Sequence, residues 1–592
     1  MSLAKSHFFQ GGAFLIGEGP TEAAFFPEQF TEEQQMIREM CDAFIAAEVR
    51  PHLVELDRQE PGLMESLLEK SGEQGLLGAA FPEQYGGLDK DFVTATLINE
   101  ALGAGHSYSV AMAAHTGIGS LPLLYFGTPA QKEKYLPGLA TGTLKAAYAL
   151  SEPDAGSDAL SVRTTARRTA DGKQYVLNGQ KCWITNSGFA DLFTVFAKVD
   201  GAAFTAFLVE KNTPGFSLGE EEHKMGIKGS STRQLFFEEA RIPADQLLGE
   251  VGKGHKIAFN ILNIGRLKLC AAALGAAKSV AETSRQYALQ RQQFGQPIAR
   301  FGAIQYKLAE QAIRIYATES ALYRTAGYLR DLEAQLREAG TAAGQAAMQA
   351  AEEYAVECAI LKVAGSEMLD YVVDEAVQIH GGNGFIDEYE VSRSYRDSRI
   401  NRIFEGTNEI NRLLIPGMLL KRALKGRLDL MTPAQAAQAE LTALPDLHTD
   451  SPSEVIEMVT RQLGGIRKAI LLVAGAAAQQ LGDGLQAEQE LMMYLADMLA
   501  RLYQAESMLL RHQQDKDKDL SGWMLQVYVY DTLDHCSRWG KAAVNSFVEG
   551  DNQRMLLMGL RRFLKPLPAL QYFNTTAARR KIADALTGGL CS

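Results

Sequence analysis

The 592-residue chain has no excess of positive charge and no long apolar run. Its formal net charge is −12, so it has no overall electrostatic attraction for nucleic acid, and no such partner is expected. No window of about 18 uncharged apolar residues occurs, which predicts no membrane-spanning helix. The first residues resemble neither a secretory signal nor an Arg-rich organellar presequence.

Cysteine is scarce and scattered. The six cysteines form no C-x-x-C pair and have no histidine cluster beside them, so neither a disulfide framework nor a metal site is indicated. Free thiols fit a reducing compartment. We expect a location in the bacterial cytoplasm, with membrane association open, or in a mitochondrion if a presequence has been removed.

Two common nucleotide-binding signatures are missing as well. No G-x-G-x-x-G follows a strand-like segment and no G-x-x-x-x-G-K-[ST] occurs, which argues against a Rossmann site and a P-loop. Glycines do cluster at 381–384, but they follow a helical pattern. By themselves they indicate only the end of a helix.

The patterns that are present predict several domains. After a leader, 1–30, helical periodicity fills an N-terminal domain, 31–143, which Thr31 opens as a helix N-cap. Short β-branched and aromatic runs then fill 144–252, and helical periodicity returns over 253–427. A Pro-containing linker, 428–453, leads into an additional helical domain, 454–592.

The predicted fold class is α+β and mainly α. Asp171-Gly172 separates two strand-like runs, which is typical of a hairpin, and the strand-rich domain is predicted to be an antiparallel sandwich or barrel. Three long helical stretches, 257–289, 305–336 and 342–378, predict a helical bundle.

Four segments are far more specific together than any one of them alone. In chain order they are AYALSEPDAGSD (147–158), NGQKCWITN (178–186), RQQFGQPI (291–298, with Gln305 soon after) and QIHGGNGF (378–385) followed by IFEGTNEI (403–410). Their order, spacing and helix–strand–helix setting resemble the acyl-CoA dehydrogenase family over residues 30–425. The resemblance implies that family's fold: a helical domain, a middle antiparallel β domain and a helical bundle.

The extra helical domain resembles that of the very-long-chain acyl-CoA dehydrogenases and of their relative that helps assemble respiratory complex I. In this subgroup the extension favours a homodimer over a tetramer and assists membrane association, so we expect a dimer and leave peripheral membrane contact open. A basic stretch could face anionic lipid or be a solvated helix face. It comprises Arg554, Arg561, Arg562, Lys565, Arg579, Arg580 and Lys581.

The resemblance implies FAD as the cofactor. It implies contacts within one subunit for Tyr148, Leu150, Ser151, Ser157, Trp183, Thr185, Thr407 and Glu409, with Gln305 also at the cofactor. It implies that a neighbouring subunit's FAD is reached by Arg291, Phe294, Gln378, Gly381 and Gly382. An arginine supplies forked charged donors and glycines allow close backbone approach. An oligomer is therefore implied, because a lone subunit would have an incomplete cofactor site. The alternative for Trp183 is a core tryptophan.

Glu405 is implied as the catalytic base. Removing a proton next to a thioester needs a base aimed at that carbon and a way to stabilise the enolate. Phe404 can shield the carboxyl and raise its pKa, and Gly406 allows a tight backbone path. Some family members place the base where this chain has Gly265, which cannot act as one. The alternative for Glu405 is a surface glutamate on a loop.

Substrate contacts are implied for Ser157, Asn263, Arg266, Phe404 and Gly406. Asn263 replaces the Asp common at that position, and Arg266 could instead be an ordinary helix ion-pair residue. Small residues in the stretch 110–115 stand where medium-chain relatives carry large polar side chains, which predicts a deep pocket.

The expected reaction converts a fatty acyl-CoA, of long chain, to a trans-2-enoyl-CoA, as the first step of fatty acid β-oxidation. Electrons would pass to electron-transferring flavoprotein. Two alternatives stay open: an acyl-CoA oxidase that uses O2, and an assembly or scaffold role. A related flavoprotein that binds DNA would carry a strongly basic C-terminal domain, which this chain lacks beyond the short basic stretch.

Overall fold

The structure is a computed structural model that describes residues 9–441 and 454–589. The first helices are α1 (Glu32–Phe44), α2 (Leu53–Asp57), α3 (Leu63–Glu73), α4 (Phe92–Ala101), α5 (Ser107–Ala114), α6 (Leu121–Phe126) and α7 (Pro129–Thr141). Thr31 caps α1 as predicted: its hydroxyl accepts from the Gln34 N–H, and the Gln34 side chain accepts from the Thr31 N–H. The described part of the leader is irregular but packed, because Phe14 and Phe26 are fully buried.

A single sheet follows. Its strands are β1 (Ala146–Ala149), β2 (Thr165–Arg168), β3 (Gln174–Thr185), β4 (Leu192–Val199), β5 (Ala203–Glu210), β6 (Phe216–Glu221), β7 (Thr232–Pro243) and β8 (Leu247–Leu248). The order is β6-β7-β3-β2-β4-β5-β8, with β1 paired to β4. The predicted hairpin joins β2 to β3, with Gly172 at φ 69°.

The sheet is mixed rather than wholly antiparallel, which corrects the sequence-based prediction. β1 and β2 both run parallel to β4, and they pair with successive halves of the same β4 edge. Long connections explain the direction, since parallel pairs cannot be joined by tight turns. The connection between β1 and β2, residues 150–164, is the segment that later lines the functional site.

The helical bundle comprises α8 (Gly254–Gln290), α9 (Gly302–Glu338), α10 (Ala343–Glu353), α11 (Ala355–His380), α12 (Glu390–Ser398) and α13 (Asn408–Leu424). The two-residue strands β9 (Gln292–Gln293) and β10 (Gln296–Pro297) form a hairpin between α8 and α9. Among the described helices, α8 is long and apolar enough to cross a membrane by composition, but 78% of its most apolar window is buried inside the protein. It is therefore a core helix.

The remaining helices are α14 (Met431–Glu440), α15 (Val455–Leu481), α16 (Gln489–Gln514), α17 (Lys518–Phe547), α18 (Gly550–Phe563), α19 (Pro568–Gln571) and α20 (Thr575–Leu586). They dock onto the bundle through buried ion pairs from α9, such as Arg324–Glu506 at 2.8 Å. The predicted linker contains α14, because Pro433 lies in the first turn, where a missing N–H is tolerated. The rest of the predicted linker, 442–453, lies outside the described residues.

Part of the basic stretch is used internally. Arg579 is buried and ion-paired with Glu310 at 2.7 Å and with Asp531 at 2.6 Å. Arg562 donates to the Glu440 carbonyl oxygen at 2.8 Å. The stretch is therefore not a continuous free basic face. Five cysteines are buried free thiols, and Cys591 lies outside the described residues.

Candidate active site

Two cavities meet between the sheet and the helical bundle. The wide cavity, about 660 Å³, is lined by Tyr148, Leu150, Trp183 and other residues of the first two sequence segments. The channel is narrower, about 140 Å³, and runs between α5, α8 and α12. Phe404, Glu405 and Thr185 line both. A group at this junction could act on a ligand that extends into both spaces.

Glu405 is held at the junction by its backbone. Its φ is 59°, a conformation that costs energy for a residue with a side chain, and Gly406 follows at φ 78°. Asn411 Nδ2 donates to the carbonyl oxygens of Glu405 and Gly406, at 3.3 and 2.8 Å. The Glu405 side chain lies against α8, since a Cβ built on Gly265 would be 2.8 Å from its Oε2. Glycine at 265 therefore makes room for this carboxyl.

The Glu405 carboxyl is poised to exchange a proton near neutral pH. Its Oε2 is buried and has no hydrogen-bond partner among the described residues. Burial raises the pKa of Glu405 to about 7, although the nearby charges of Arg266 and Lys362 act in the opposite direction. A buried carboxyl with a raised pKa, next to a cavity, is typical of a general base. The alternative of an exposed loop glutamate is wrong.

Trp183 faces the wide cavity because β3 is irregular there. The pairing of β3 with β7 shifts register between Lys181 and Ile184, and Trp183 adopts a φ of 57°. Its side chain is 60% exposed, so the alternative of a core tryptophan is wrong. The ring can cover one face of a planar ligand.

The first two segments are joined by buried contacts. The Cys182 N–H donates to the Ser151 carbonyl oxygen at 3.0 Å. The Lys181 ammonium donates to the Leu150 carbonyl oxygen at 3.1 Å and is ion-paired with Glu152 at 2.7 Å. Burial lowers the pKa of Lys181 to about 8. These contacts fix the backbone that carries Leu150 and Ser151 along the wall of the wide cavity.

The residues present fit the predicted flavin. Tyr148 Oη is buried and finds no partner in the part of the chain that the structure describes. The hydroxyl-bearing residues Ser151, Ser157 and Thr185 line the same cavity as the Trp183 ring. Together they offer hydrogen-bonding groups for a polar edge and an apolar face for a ring system.

The predicted substrate contacts also come together. Arg266 is buried, and its Nη1 donates to Asn263 Oδ1 at 2.9 Å. Both residues line the wide cavity with Ser157, Phe404 and Gly406. Within the described part of the chain, Arg266 forms no ion pair with a surface carboxylate, as an ordinary helix ion-pair residue would. Its Nε lies 3.5 Å from the Glu405 carbonyl oxygen.

Basic residues that sequence reasoning missed line the same cavity: Lys421, Lys425 and Arg427. Their cluster at the end of α13 was visible in the sequence. It is not specific, because basic residues are common in the last turn of any helix. Together with Arg422 they outnumber the two carboxylates of the same lining, Glu352 and Glu353, so this part of the cavity carries a net positive charge that suits phosphate groups.

Several predicted cofactor residues line neither cavity. Thr407 caps α13 by accepting from the Ile410 N–H at 3.3 Å, Glu409 lies in the first turn of that helix, and Gln305 is buried near the start of α9. The set assigned to a neighbouring subunit lies at one end of the bundle, where Tyr287 and His380 stack with ring centroids 4.0 Å apart. All of it is exposed: Arg291, Phe294, Gln378, Gly381 and Gly382.

Small residues from two helices form much of the channel wall. Val110, Ala113 and Ala114 of α5 line it, together with Gly265, Ala272 and Ala276 of α8. Met112, which belongs to the predicted stretch 110–115, does not line the channel and packs in a separate core cluster. His115 points away, with Nε2 2.9 Å from the Leu139 carbonyl oxygen. Half of the stretch therefore forms the wall.

Comparison with known proteins places these features in one family. The chain matches models described as the acyl-CoA dehydrogenase N-terminal domain (31–143), middle domain (147–240) and C-terminal domain (252–419), and a further model also described as an acyl-CoA dehydrogenase C-terminal domain (465–562). A probable acyl-CoA dehydrogenase of Bacillus subtilis (strain 168) is 47% identical over 94% of this chain and 95% of its own length.

Two further relatives bear on the cofactor and the size. A crystal structure of an acyl-CoA dehydrogenase complexed with FAD from Bacillus anthracis superposes with a TM-score of 0.94 at 46% identity, covering 99% of this chain and 100% of its own. The human mitochondrial very long-chain specific acyl-CoA dehydrogenase is 39% identical over 72% of this chain and 63% of its own length.

Proposed function

The chain belongs to the acyl-CoA dehydrogenase family, FAD-dependent oxidoreductases that act on a CH–CH group, and we propose that its substrate is a long-chain fatty acyl-CoA. The product would be the trans-2-enoyl-CoA. The observation that carries the proposal is the position of Glu405 where the wide cavity meets the channel, with its Oε2 buried and without a hydrogen-bond partner among the described residues.

Glu405 would remove the α-proton. Its burial keeps water from the carboxyl, and its raised pKa matches a base that works near neutral pH. The thioester oxygen would accept a hydrogen bond from the Glu405 N–H as negative charge develops on it. FAD, when bound, supplies the acceptor for the hydride that leaves the β-carbon.

The wide cavity would hold both the flavin and the CoA portion of the substrate. Tyr148, Leu150, Ser151 and Thr185 would contact the flavin edge, and Trp183 would cover the face away from the substrate. Arg266 and Asn263 would contact the thioester side. Lys421, Lys425 and Arg427 would face the CoA phosphates, since phosphate recognition needs cationic donors.

The channel supports a long, unbranched acyl chain. On α8 its lining extends from Gly265 to Val280, which at about 1.5 Å per residue spans about 22 Å. Small residues of α5 and α8 form much of the wall, and the narrow bore suits a straight chain better than a branched one. An assignment to the first step of fatty acid β-oxidation rests on this substrate class.

The assembly and the acceptor are proposals of the same kind. We propose a homodimer in which the exposed set from Arg291 to Gly382 completes the neighbouring subunit's FAD site. Electrons would pass to electron-transferring flavoprotein. We also propose a location in the bacterial cytoplasm, with peripheral membrane contact through the exposed members of the basic stretch. Arg579 would not take part in this contact, because it is buried in ion pairs.

The proposal is tested by mixing the FAD-loaded protein anaerobically with palmitoyl-CoA or butyryl-CoA and following the visible flavin absorbance. Bleaching by palmitoyl-CoA, with a weaker response to butyryl-CoA, is expected. Adding electron-transferring flavoprotein to the bleached protein should restore the colour faster than adding O2; the reverse order would indicate an oxidase. A flavin that no acyl-CoA bleaches would contradict the proposed reaction.

A further inference from the structure

A group of charged side chains lies at the end of the channel away from Glu405. His106 Nδ1 is 3.0 Å from Asp397 Oδ2, and His106 Nε2 is 3.2 Å from Glu390 Oε1. Arg50 pairs with Glu390 at 3.5 Å and donates to the Ser279 hydroxyl at 3.2 Å. We call His106, Glu390, Asp397 and Arg50 the end cluster.

The course of three helices places the end cluster at the end of the channel farthest from Glu405. The α5 side of the channel wall runs from Ala114, near Glu405, back to His106, and the α8 side runs from Gly265 to Ser279 and Val280. The α12 side, together with the turn after it, runs from Phe404 back to Glu390. The three distal ends meet in the end cluster, since Ser279, Arg50, Glu390 and His106 form one chain of contacts.

The end cluster has a buried inner side, towards the channel, and a partly exposed outer side. The side chains of His106 and Asp397 are only 9% and 12% exposed, whereas those of Glu390 and Arg50 are 30% and 48% exposed. Both imidazole nitrogens face carboxylates, and the Asp397 carboxylate also accepts from the Ile227 N–H. The inner members have their hydrogen-bonding groups occupied, so they offer little to a polar ligand.

We propose that the end cluster is the closed end of the acyl channel and that His106 sets the longest acyl chain that the closed protein accepts. This inference rests on the proposed function. A terminal methyl group that reaches His106 can go no further without separating the imidazole from Asp397 and Glu390, and opening a buried charged group is costly. Chains that end before the cluster are unaffected.

The backbone at His106 makes the test practicable. Its φ of 52° and ψ of −123° belong to a region that glycine occupies freely and other residues avoid. His106→Gly therefore removes the imidazole and relieves backbone strain together. Asp200→Gly is a matched control, because Asp200 also has a positive φ, 51°, but is exposed and does not line the channel.

The experiment measures dissociation constants by calorimetry for the trans-2-enoyl-CoA products of butyryl, palmitoyl and lignoceroyl chains, using the FAD-loaded protein. Products bind without turnover, so the result does not depend on the reaction. In the parent protein the lignoceroyl product should bind at least about tenfold more weakly than the palmitoyl product. His106→Gly should remove most of that difference, whereas Asp200→Gly should retain it.

A second variant tests whether the chain enters this channel. Ala276 lines it between Gly265 and Ser279, so Ala276→Phe should weaken binding of the palmitoyl product and spare the butyryl product. The inference is overturned if His106→Gly leaves the ratio of lignoceroyl to palmitoyl binding unchanged, or if Ala276→Phe binds the palmitoyl product normally. Flavin bleaching by butyryl-CoA, measured on every variant, reports separately on the proposed function.

Discussion

At the scale of single residues, the site depends on positions where the backbone is held in uncommon conformations. Trp183 and Glu405 both have positive φ values, of 57° and 59°, and both side chains face the wide cavity. Such conformations persist only where the surroundings enforce them. Asn411 does so for Glu405 by donating to three successive carbonyl oxygens, those of residues 405, 406 and 407.

The pKa of Glu405 predicts the acid side of the pH profile. The base must be ionised, and burial raises its pKa from 4.5 to about 7, so activity should be lost as pH falls through about 7 and be present above it. The pH dependence of kcat/KM measures this in the free enzyme. An acid limb near the ordinary carboxyl pKa, about 4.3, would contradict the account.

Gly265 makes room for the Glu405 carboxyl, and a methyl group there should disturb catalysis. A Cβ would lie 2.8 Å from Oε2, so Gly265→Ala should displace the carboxylate and lower kcat by about 10- to 100-fold while the fold is retained. Steady-state kinetics and circular dichroism measure both effects. Gly464→Ala, on α15 with open space around it, should leave kcat unchanged and add about 1 kcal/mol of stability.

The roles of individual residues could be predicted only in part from the sequence. The four segments identified Glu405, Trp183 and Tyr148 through a family resemblance. Burial and exposure of these side chains depend on tertiary packing, which one sequence does not show. His106 was not identified at all, because its partners Glu390 and Asp397 lie 284 and 291 residues further along the chain.

At the scale of elements, periodicity was a good guide to helices and a poorer one to their breaks. The stretch 342–378 was predicted as one helix, but it divides at Tyr354 into α10 and α11. No glycine or proline marks the division. Instead, the Tyr354 hydroxyl donates to the Phe9 carbonyl oxygen, a contact with the leader 345 residues away. A local pattern cannot reveal a break that a distant segment stabilises.

The direction of the strands was the other feature in which the elements of the structure differ from the prediction. Alternating strand-like runs indicated a sheet and located its β2–β3 hairpin correctly. They could not show that β1 and β2 lie parallel to β4, because direction depends on where long connections return the chain.

The docking of α16 onto α9 should depend strongly on one buried carboxylate. Glu506 is 1% exposed and is ion-paired with Arg324 at 2.8 Å and Arg467 at 2.5 Å. Glu506→Gln leaves Arg324 buried without its counter-charge and leaves Arg467 with only the more distant Glu18, 3.8 Å away, so the apparent Tm should fall, at a cost of about 3–5 kcal/mol. Scanning calorimetry measures this.

An ion pair on the protein surface provides the control for Glu506→Gln. Glu457 and Arg461 on α15 form an exposed pair, and Glu457→Gln should cost less than about 1 kcal/mol. Equal effects of the two substitutions would show that Glu506 does not hold the C-terminal domain in place.

At the scale of the whole molecule, one apolar surface stands out. Phe294 is 91% exposed and Phe385 is 87% exposed, close to the positions assigned to a neighbouring subunit's cofactor. Exposed aromatic side chains grouped on one surface are typical of a subunit interface. We propose that the dimer forms through this surface.

Phe294→Asp should disrupt the proposed dimer and reduce the FAD content together, because the same surface would serve both. Light scattering measures the mass, and the ratio of flavin to protein absorbance measures the cofactor. Tyr572→Asp alters another highly exposed aromatic side chain, 81%, at the residue that follows α19, and should change neither. A monomeric Phe294→Asp protein with full FAD content would separate the two roles.

The most direct test of the account is flavin reduction by palmitoyl-CoA in Glu405→Gln, compared anaerobically with Glu357→Gln. Glu357 is a matched control: it too is buried with a pKa of about 7, but it accepts from the Gly12 N–H and lines neither the wide cavity nor the channel. The account predicts that Glu405→Gln binds FAD but slows bleaching by about 10²- to 10⁴-fold, while Glu357→Gln bleaches normally. Rapid bleaching of Glu405→Gln would contradict the assignment of the base.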